Sequence, residues 1–228
     1  MGRKYLKHDL VQMVKDNTQN ILHGHVVCVY TICPKCHQEV DSFKLHEARS
    51  RIFLVLAENI VYRVLSLITR WKCPFCGKTF ILYPEFALPY KRYVLPNIMD
   101  RCWVYLEDDS QTYRRAVTSD NAEFYHQERS EDGSCPVLAH STLHRWMTSL
   151  SGLVQTMRSA LEHIKQKAPH TGIFRKMAAL RIPGKKFRSP HREKQLLRCL
   201  RLLWVQDEFT RIFSTSIFPK FATMNNWS

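Results

Sequence analysis

The hydrophobic positions at the start of the chain recur at helical intervals. Apolar side chains spaced by three or four residues fall on one face of a helix. An amphipathic helix is therefore expected over residues 3–22, with a buried face formed by Leu6, Leu10, Met13 and Val14.

Two further hydrophobic stretches in the first half of the chain favour strands. Residues 25–37 (HVVCVYTICPKCH) are rich in β-branched residues and end in a pair of cysteines. Residues 51–73 hold two apolar runs separated near Glu58, which predicts a hairpin. A helix through residues 44–57 is the competing interpretation, because short apolar runs fit either structure.

The second half of the chain carries helical patterns that are interrupted by polar or proline-rich stretches. Helices are expected within residues 94–118, 138–165 and 191–213. Residues 119–136 are polar and rich in turn-forming residues, which predicts a loop. Residues 166–190 contain several prolines and glycines, which predicts an irregular basic connector.

Two cysteine pairs carry the strongest chemical signal. Both have the form Cys-Pro-x-Cys, which makes a tight turn whose backbone amides can point at the sulfur atoms. Four soft ligands of this kind suit tetrahedral Zn²⁺, at roughly 2.3 Å per sulfur. A structural zinc ion is therefore predicted at Cys33, Cys36, Cys73 and Cys76.

The gap between the cysteine pairs, residues 37–72, is longer than the usual spacing of about 15–20 residues. A long hairpin accommodates this gap, because its arms leave one turn and return to the other. The alternatives are a redox dithiol at either pair and the use of His37 or His46 as a ligand. Structural zinc has no open coordination position, which argues against hydrolysis at the metal.

Residues 136–153 (PVLAHSTLHRWMTSLSGL) predict a second amphipathic helix, with Ser141 as its N-cap. Its buried stripe consists of Leu143, Trp146, Met147 and Leu150. Its outer face offers hydrogen-bonding groups that suit base edges in DNA, namely His140, Thr142, His144 and Arg145, with Thr148 and Ser149 beside them. The alternative is an ordinary helix with a polar outer face.

A recognition helix needs a helix before it, and residues 112–117 are the candidate. About 3–4 residues join the two helices of a helix-turn-helix, whereas a much longer segment separates residues 112–117 from Ser141. Either the turn is expanded, or a different helix comes first.

The charge of the chain indicates a polyanionic partner, either nucleic acid or an acidic membrane surface. The sequence holds 34 Lys and Arg against 20 Asp and Glu, so its formal net charge is +14. Residues 158–201 supply most of this excess, and a solvated basic helix face is the alternative reading. Contacts with DNA phosphates are expected from Lys91, Arg92, Arg175, Lys176, Arg181, Lys185, Lys186, Arg188 and Arg192.

The sequence carries no signal for secretion or for insertion into a membrane. The N-terminal stretch is charged throughout and lacks an apolar segment, and the longest apolar runs are too short to span a bilayer. We therefore expect a cytoplasmic, nucleoid-associated protein whose thiols stay reduced.

Residues 70–94 (RWKCPFCGKTFILYPEFALPYKRYV) resemble the N-terminal zinc ribbon of an uncharacterised bacterial family of transposase-like, insertion-sequence-associated proteins. The clear resemblance covers residues 30–94. A looser one extends to residue 153 through HSTLHRWMTSL, which looks like the helix-turn-helix of that family. The resemblance implies binding of transposon-end DNA or regulation of mobile-element genes.

Together these patterns predict an α+β fold, in which a zinc ribbon of β-hairpins precedes a mostly helical domain of helix-turn-helix type. The expected parts are the N-terminal helix and zinc ribbon (1–93), the helix-turn-helix-like domain (94–165), and the basic connector with the C-terminal helix (166–228).

The expected function is non-catalytic binding of double-stranded DNA, with a transposase or a second copy of the chain as a further partner. Transposases of this type hold Mg²⁺ with three carboxylates on a sheet. The residues after 153 include four acids and no alternating strand pattern. The alternatives are a compact metal-dependent transposase or nuclease, and an adaptor that binds protein through the aromatic residues 204–227.

Overall fold

An antiparallel sheet occupies the first half of the chain. The computed structural model describes residues 7–57, 60–117, 125–126, 138–182 and 189–218. Three antiparallel strands pair in chain order, β1 (Lys44–Ala57), β2 (Ile60–Lys72) and β3 (Thr79–Leu82). The predicted hairpin is confirmed, and the competing helix through 44–57 is wrong. A fourth, short strand β4 (Tyr125–His126) lies parallel to the start of β2.

Helix α1 (Lys7–Leu22) covers one face of the β1–β2 hairpin. Leu10 and Val14 are buried in a core that also contains Phe53 of β1. The buried Ser66 hydroxyl donates to the Val14 carbonyl at 3.0 Å, so the helix and β2 are joined by a hydrogen bond as well as by packing. The predicted N-terminal helix is confirmed from residue 7 onward.

The segment before the first cysteine has no regular secondary structure apart from one bridge. Ile32 makes an isolated bridge with Glu39, and no strand lies between α1 and β1 in the described part of the chain. Val26 packs against the core around the cysteines, whereas Val27 and Val29 are 78% and 56% exposed. The strand predicted within residues 25–37 is therefore wrong, because the β-favouring sequence is not matched by a neighbouring strand.

The described part of the second half is helical, with elements α2 (Leu95–Glu107), α3 (Tyr113–Val117), α4 (His140–Ser151), α5 (Val154–Lys167), α6 (Ile173–Ala179) and α7 (Pro190–Phe213). The helices predicted within 94–118, 138–165 and 191–213 are confirmed. The irregular connector predicted at 166–190 is wrong in part, because it contains α6, anchored by the buried Ile173. The loop predicted at 119–136 lies outside the described residues, apart from β4.

One apolar core joins the end of the hairpin to all the helices from α2 to α7. α7 packs against α2, α4, α5 and α6, and it buries Leu196, Leu200 and Leu203. This core contains residues from both sides of the predicted domain boundaries at 93/94 and 165/166. Those boundaries stay predictions.

The mixture of an antiparallel sheet and helices confirms the broad fold class. None of the described helices is long and apolar enough to cross a membrane.

Hydrogen bonds from β1 fix the start of α2. The Leu56 amide donates to Asn97 Oδ1 at 2.7 Å, and Asn97 Nδ2 donates to the Leu56 carbonyl at 2.7 Å. The Leu54 amide donates to the Arg92 carbonyl at 2.9 Å, and the Val94 amide donates to the Leu54 carbonyl at 3.1 Å. The segment that leaves the cysteine-bearing region is thus held along β1 as it leads into α2.

Candidate functional site

The first cysteine pair lies in a tight, hydrogen-bonded turn. The His37 amide donates to the Cys33 carbonyl at 2.9 Å, and the Cys33 amide donates to the Gln38 carbonyl at 2.9 Å. The chain leaves this turn through His37, which has a φ of 60°. That left-handed conformation is unfavourable for a residue with a Cβ, so the turn is maintained against a local cost.

The second cysteine pair repeats the same turn. The Gly77 amide donates to the Cys73 carbonyl at 3.0 Å, and the Cys73 amide donates to the Lys78 carbonyl at 3.0 Å. Gly77, at φ 67°, occupies the position that His37 occupies in the first turn. Glycine takes this conformation without a steric penalty. Two stretches that are distant in sequence therefore fold into equivalent turns.

The two turns bring four thiols to one point. The Sγ atoms of all four cysteines lie within 4.8 Å of one another. The contacts between Cys33 and Cys76 and between Cys36 and Cys73 are each 3.9 Å. Tetrahedral zinc with sulfur at roughly 2.3 Å places its ligands about 3.8 Å apart. The four sulfur atoms therefore have the spacing and the chemistry of a site for a tetrahedral, thiophilic metal ion.

Cys73 and Cys36 differ in how readily they release a proton to a metal ion. The backbone hydrogen bond at Gln38 lowers the pKa of Cys36, but burial and the three neighbouring thiols outweigh it and raise this pKa to about 12. The Lys35 amide donates to Cys33 Sγ at 3.4 Å. Burial raises the pKa of Cys73, but hydrogen bonds from the Cys76 and Phe75 backbones and from the neighbouring thiols outweigh it and lower the pKa to about 7. A thiol with a lowered pKa releases its proton to a metal ion more readily.

The two histidines predicted as alternative ligands are not part of the thiol cluster. His37 and His46 are not members of the metal-ligating group found among the described residues, which consists of the four cysteines. His37 contributes its backbone to the turn instead. A small apolar core surrounds the thiols, formed by Val40, Phe43, Trp71, Phe80 and Leu82. The convergence of both pairs fits one shared metal ion better than two separate redox dithiols.

The segment after β3 brings predicted DNA-binding residues to α4. Tyr93 packs against Trp146 of α4, with ring centroids 5.1 Å apart and near-perpendicular planes. Burial, and secondly the guanidinium of Arg145, lower the pKa of the Lys91 amine. Lys91 and Arg145, which are distant in sequence, thus lie close enough for their charges to repel, while Arg92 next to Lys91 is exposed.

Some of the residues predicted to read bases are engaged within the protein. The Thr148 hydroxyl accepts from the Arg192 guanidinium at 3.2 Å, and Arg192 also donates to the Tyr113 hydroxyl. The His144 ring meets the ring of Tyr113 edge to face, with centroids 5.8 Å apart. Burial and the Arg192 guanidinium lower the pKa of His144. His140 and Arg145 remain exposed, and Thr142 is half-buried.

The other predicted phosphate contacts are dispersed. Lys176 on α6 lies over the ring of Trp204, 5.6 Å from its centroid. Trp204 is about 18 Å along α7 from Arg192, at 1.5 Å per residue. Arg175 and Arg181 are exposed. Three of the predicted contacts lie outside the described residues, namely Lys185, Lys186 and Arg188.

The predicted start of the recognition helix needs correction. α4 begins at His140 after Ala139, whose backbone is extended and which makes no side-chain cap, so Ser141 lies inside the helix. The helix predicted at 112–117 is present as α3, and it packs against α4.

Sequence reasoning missed a much shorter connection, in which Gly152 and Leu153 alone separate α4 from α5. The Ser-Gly pair at 151–152 was the available signal.

The hairpin and the helices α2 and α3 belong to a stretch that matches a protein family. Residues 33–146, half of the chain, match the family described as a domain of unknown function, DUF6431. The matched stretch begins at the first of the four cysteines and ends at Trp146 of α4, so it contains both the thiol cluster and the contact with α4. No curated protein and no solved structure matches this chain.

Proposed function

This chain belongs to the family of the domain of unknown function DUF6431, and from that premise we propose that it is a zinc-stabilised, non-catalytic protein that binds double-stranded DNA. The cysteine-bearing region acts as a zinc ribbon, and the helices from α2 onward supply a helix-turn-helix-type domain. The DNA belongs to a mobile element, where the protein binds transposon ends or regulates genes in the nucleoid. A transposase or a second copy of the chain is the further partner.

The convergence of Lys91 and Arg145 is the observation that carries this proposal. Tyr93 packs against Trp146 with ring centroids 5.1 Å apart, which brings the segment of Lys91 to the part of α4 that carries Arg145. The pKa of Lys91, lowered mainly by burial, is lowered further by Arg145. Within the described residues, neither has a carboxylate within 4.0 Å, since the ion pairs there are formed by other cations. Two cations on segments that pack together, without a counter-ion, favour a polyanion, and the phosphates of DNA supply one.

Zinc has a structural role in this proposal. Cys33, Cys36, Cys73 and Cys76 would hold the ion, which supplies a crosslink between the two turns. β3 follows the second turn, and the segment after β3 carries Lys91. The crosslink therefore supports the segment that carries Lys91 and that packs against α4 through Tyr93 and Trp146.

The non-catalytic part of the proposal is supported by the state of Glu208, half of the one adjacent acid pair after residue 153. Its carboxylate accepts from Arg211 at 2.7 and 2.9 Å and also from the Thr171 hydroxyl. Arg211, with Thr171 as a further donor, lowers the pKa of Glu208. A carboxylate engaged in this way acts as a structural anchor between α7 and the segment after α5.

A salt titration of duplex binding tests the proposal. Fluorescence anisotropy with the zinc-loaded chain and a labelled random-sequence duplex should give an affinity that falls steeply with salt. Lys91→Ala and Arg145→Ala should each reduce the slope of log affinity against log salt by about 0.9 per lost phosphate contact. Lys15→Ala, which removes an exposed cation from α1, is the matched control and should leave the slope unchanged. A flat salt response of the unmodified chain would refute DNA binding.

A further inference from the structure

The segment between β3 and α2 contains a strained turn. The Lys91 amide donates to the Leu88 carbonyl at 3.2 Å, which closes a β-turn with Pro89 and Tyr90 at its centre. Tyr90 has a φ of 60°. A positive φ at the second central position, after a proline, is the arrangement of a type II turn, in which glycine or asparagine normally follows the proline. Tyr90 therefore holds a backbone conformation that is unfavourable for a residue with a Cβ.

Packing of the Tyr90 side chain does not account for this cost. Tyr90 is 77% exposed. Within the described residues, its ring meets no other aromatic ring and its hydroxyl makes no hydrogen bond. The other non-glycine residues with positive φ in the described part of the chain have a structural place, His37 in the first cysteine turn and Ser214 at the C-cap of α7. Strained backbone that serves no packing contact is concentrated at binding and catalytic sites.

The residues on both sides of the turn fix its position. Leu88 is 3% exposed, so the chain enters the turn from the core. After the turn, Arg51 Nη2 on β1 donates to the Lys91 carbonyl at 3.0 Å, and the Leu54 amide donates to the Arg92 carbonyl at 2.9 Å. The exposed tyrosine is thus carried by an ordered turn, and a pre-ordered contact loses less entropy when it binds a partner.

The neighbours of Tyr90 are cations. Lys91 follows it directly, and Arg145 lies on the part of α4 against which this segment packs through Tyr93 and Trp146. Burial, and secondly the Arg145 guanidinium, lower the pKa of the Lys91 amine. No carboxylate among the described residues lies within 4.0 Å of either cation. A nucleotide offers both matching groups, because its base stacks on an aromatic ring and its phosphate binds cations.

We propose that Tyr90 stacks on an unpaired base of DNA while Lys91 and Arg145 hold the adjoining phosphates. Inside a fully paired duplex both faces of a base are covered by the neighbouring base pairs, so an aromatic side chain stacks readily only on a base that is unpaired. The protein therefore prefers DNA whose duplex is locally open. This inference rests on the proposed DNA binding and specifies the form of DNA that is bound.

Binding of matched labelled duplexes to the zinc-loaded full chain tests the inference. One duplex is fully paired, and the second has the same sequence with a central bulge of unpaired adenosines. The bulged duplex should bind about tenfold more tightly, a typical contribution of one base stacked on an aromatic ring. A third duplex has abasic sites in the bulge, which keep the phosphates and the flexibility but remove the bases. It should lose this preference.

Tyr90→Gly separates a binding role from a structural one. Glycine adopts a positive φ without a steric penalty, so the thermal midpoint should rise by about 2–4 °C. The preference for the bulged duplex should disappear in the same variant, while the affinity for the paired duplex stays the same. Tyr90→Phe keeps the ring and should keep the preference. Phe174→Ala removes an exposed ring from α6 and should leave the preference unchanged.

The outcomes distinguish this inference from the proposed function. If Tyr90→Gly keeps the preference, or if the unmodified chain binds the three duplexes equally, the inference is wrong but DNA binding stands. If Tyr90→Gly lowers the thermal midpoint, the tyrosine stabilises the fold and the strain has a structural cause, which also contradicts the inference. If the unmodified chain binds no duplex, the proposed function is wrong as well.

Discussion

The cysteine-bearing region and the helical region are stabilised in different ways. The buried apolar side chains around the thiols come from two turns and short strand ends. The core of the helical region draws on the hairpin end and on every helix from α2 to α7. A small core supplies too little buried area to fix a fold by itself, whereas a larger one can. From this difference we expect the cysteine-bearing region to depend on a metal ion held by its four thiols, and the helical region to fold without one.

Loss of a thiolate should have the largest effect and should be confined to the cysteine-bearing region. Cys73→Ser removes one ligand from a site whose binding free energy is about 10–16 kcal/mol in small zinc domains. Zinc content should fall, and amide exchange protection should be lost in residues 71–82 but kept in α7. Hydrogen exchange with mass spectrometry and metal analysis measure both effects.

Cys28→Ser is the matched control for that experiment. Cys28 packs against the same small core but is not one of the four clustered thiols. It should retain one zinc per chain. Equal zinc loss in both variants, or unchanged protection in Cys73→Ser, would contradict the difference between the two regions.

A cavity in the helical core should produce the converse result. Phe209 is fully buried on α7, and Phe209→Ala should lower the free energy of unfolding by about 3–5 kcal/mol. Zinc stoichiometry should stay the same, because the thiols lie in another core. Urea denaturation followed by circular dichroism gives the free energy. Phe174→Ala, at a side chain that is 38% exposed, should cost much less; an equal cost would argue against the assigned core.

The contact between the hairpin end and α2, inside the helical region, should have an intermediate effect. Asn97→Ala removes both hydrogen bonds to the Leu56 backbone and leaves two buried groups unpaired. Each such group costs about 1–3 kcal/mol. Urea denaturation of Asn97→Ala, with the exposed Asn20→Ala as control, measures the loss. An unfolding free energy equal to that of the control would mean that these hydrogen bonds do not hold α2 to the hairpin.

The equivalent positions His37 and Gly77 should respond in opposite directions, with the smallest effect. Both have positive φ, and no atom lies within 4 Å of a Cβ added at Gly77. His37→Gly should therefore stabilise the zinc-loaded chain, and Gly77→Ala should destabilise it, each by about 1 kcal/mol. Thermal unfolding of the two variants gives the sign of each change. A stabilising Gly77→Ala would show that the second turn relaxes to another conformation.

The sequence was sufficient to predict those structural features whose sequence pattern is local or repeated. The two turns share the Cys-Pro-x-Cys motif and the same backbone hydrogen bonds, and their thiols converge despite the long gap. The hairpin follows from two β-favouring runs on either side of one break. The helical stripe Leu143, Trp146, Met147 and Leu150 is buried as its spacing predicts.

The sequence was insufficient to predict those features that depend on contacts between residues remote in sequence. Arg192 carries the guanidinium group that suits a phosphate contact, but it donates hydrogen bonds to Tyr113 and Thr148 instead. These partners are remote in sequence, so no local pattern predicts the contact. Residues 25–32 have a strand-like pattern, but a strand also needs a partner. α6 escaped prediction because Gly172 and the neighbouring prolines indicate a loop, whereas burial of Ile173 in the core decides the outcome.

X-ray absorption at the zinc edge of the purified full chain, combined with metal analysis, tests the central claim most directly. We expect one zinc ion per chain, with four sulfur neighbours at about 2.3 Å and no nitrogen or oxygen ligand. A shell that includes nitrogen or oxygen, or a protein that keeps its cysteine-bearing region folded without metal, would contradict the claim that four thiolates and one zinc ion hold this region together.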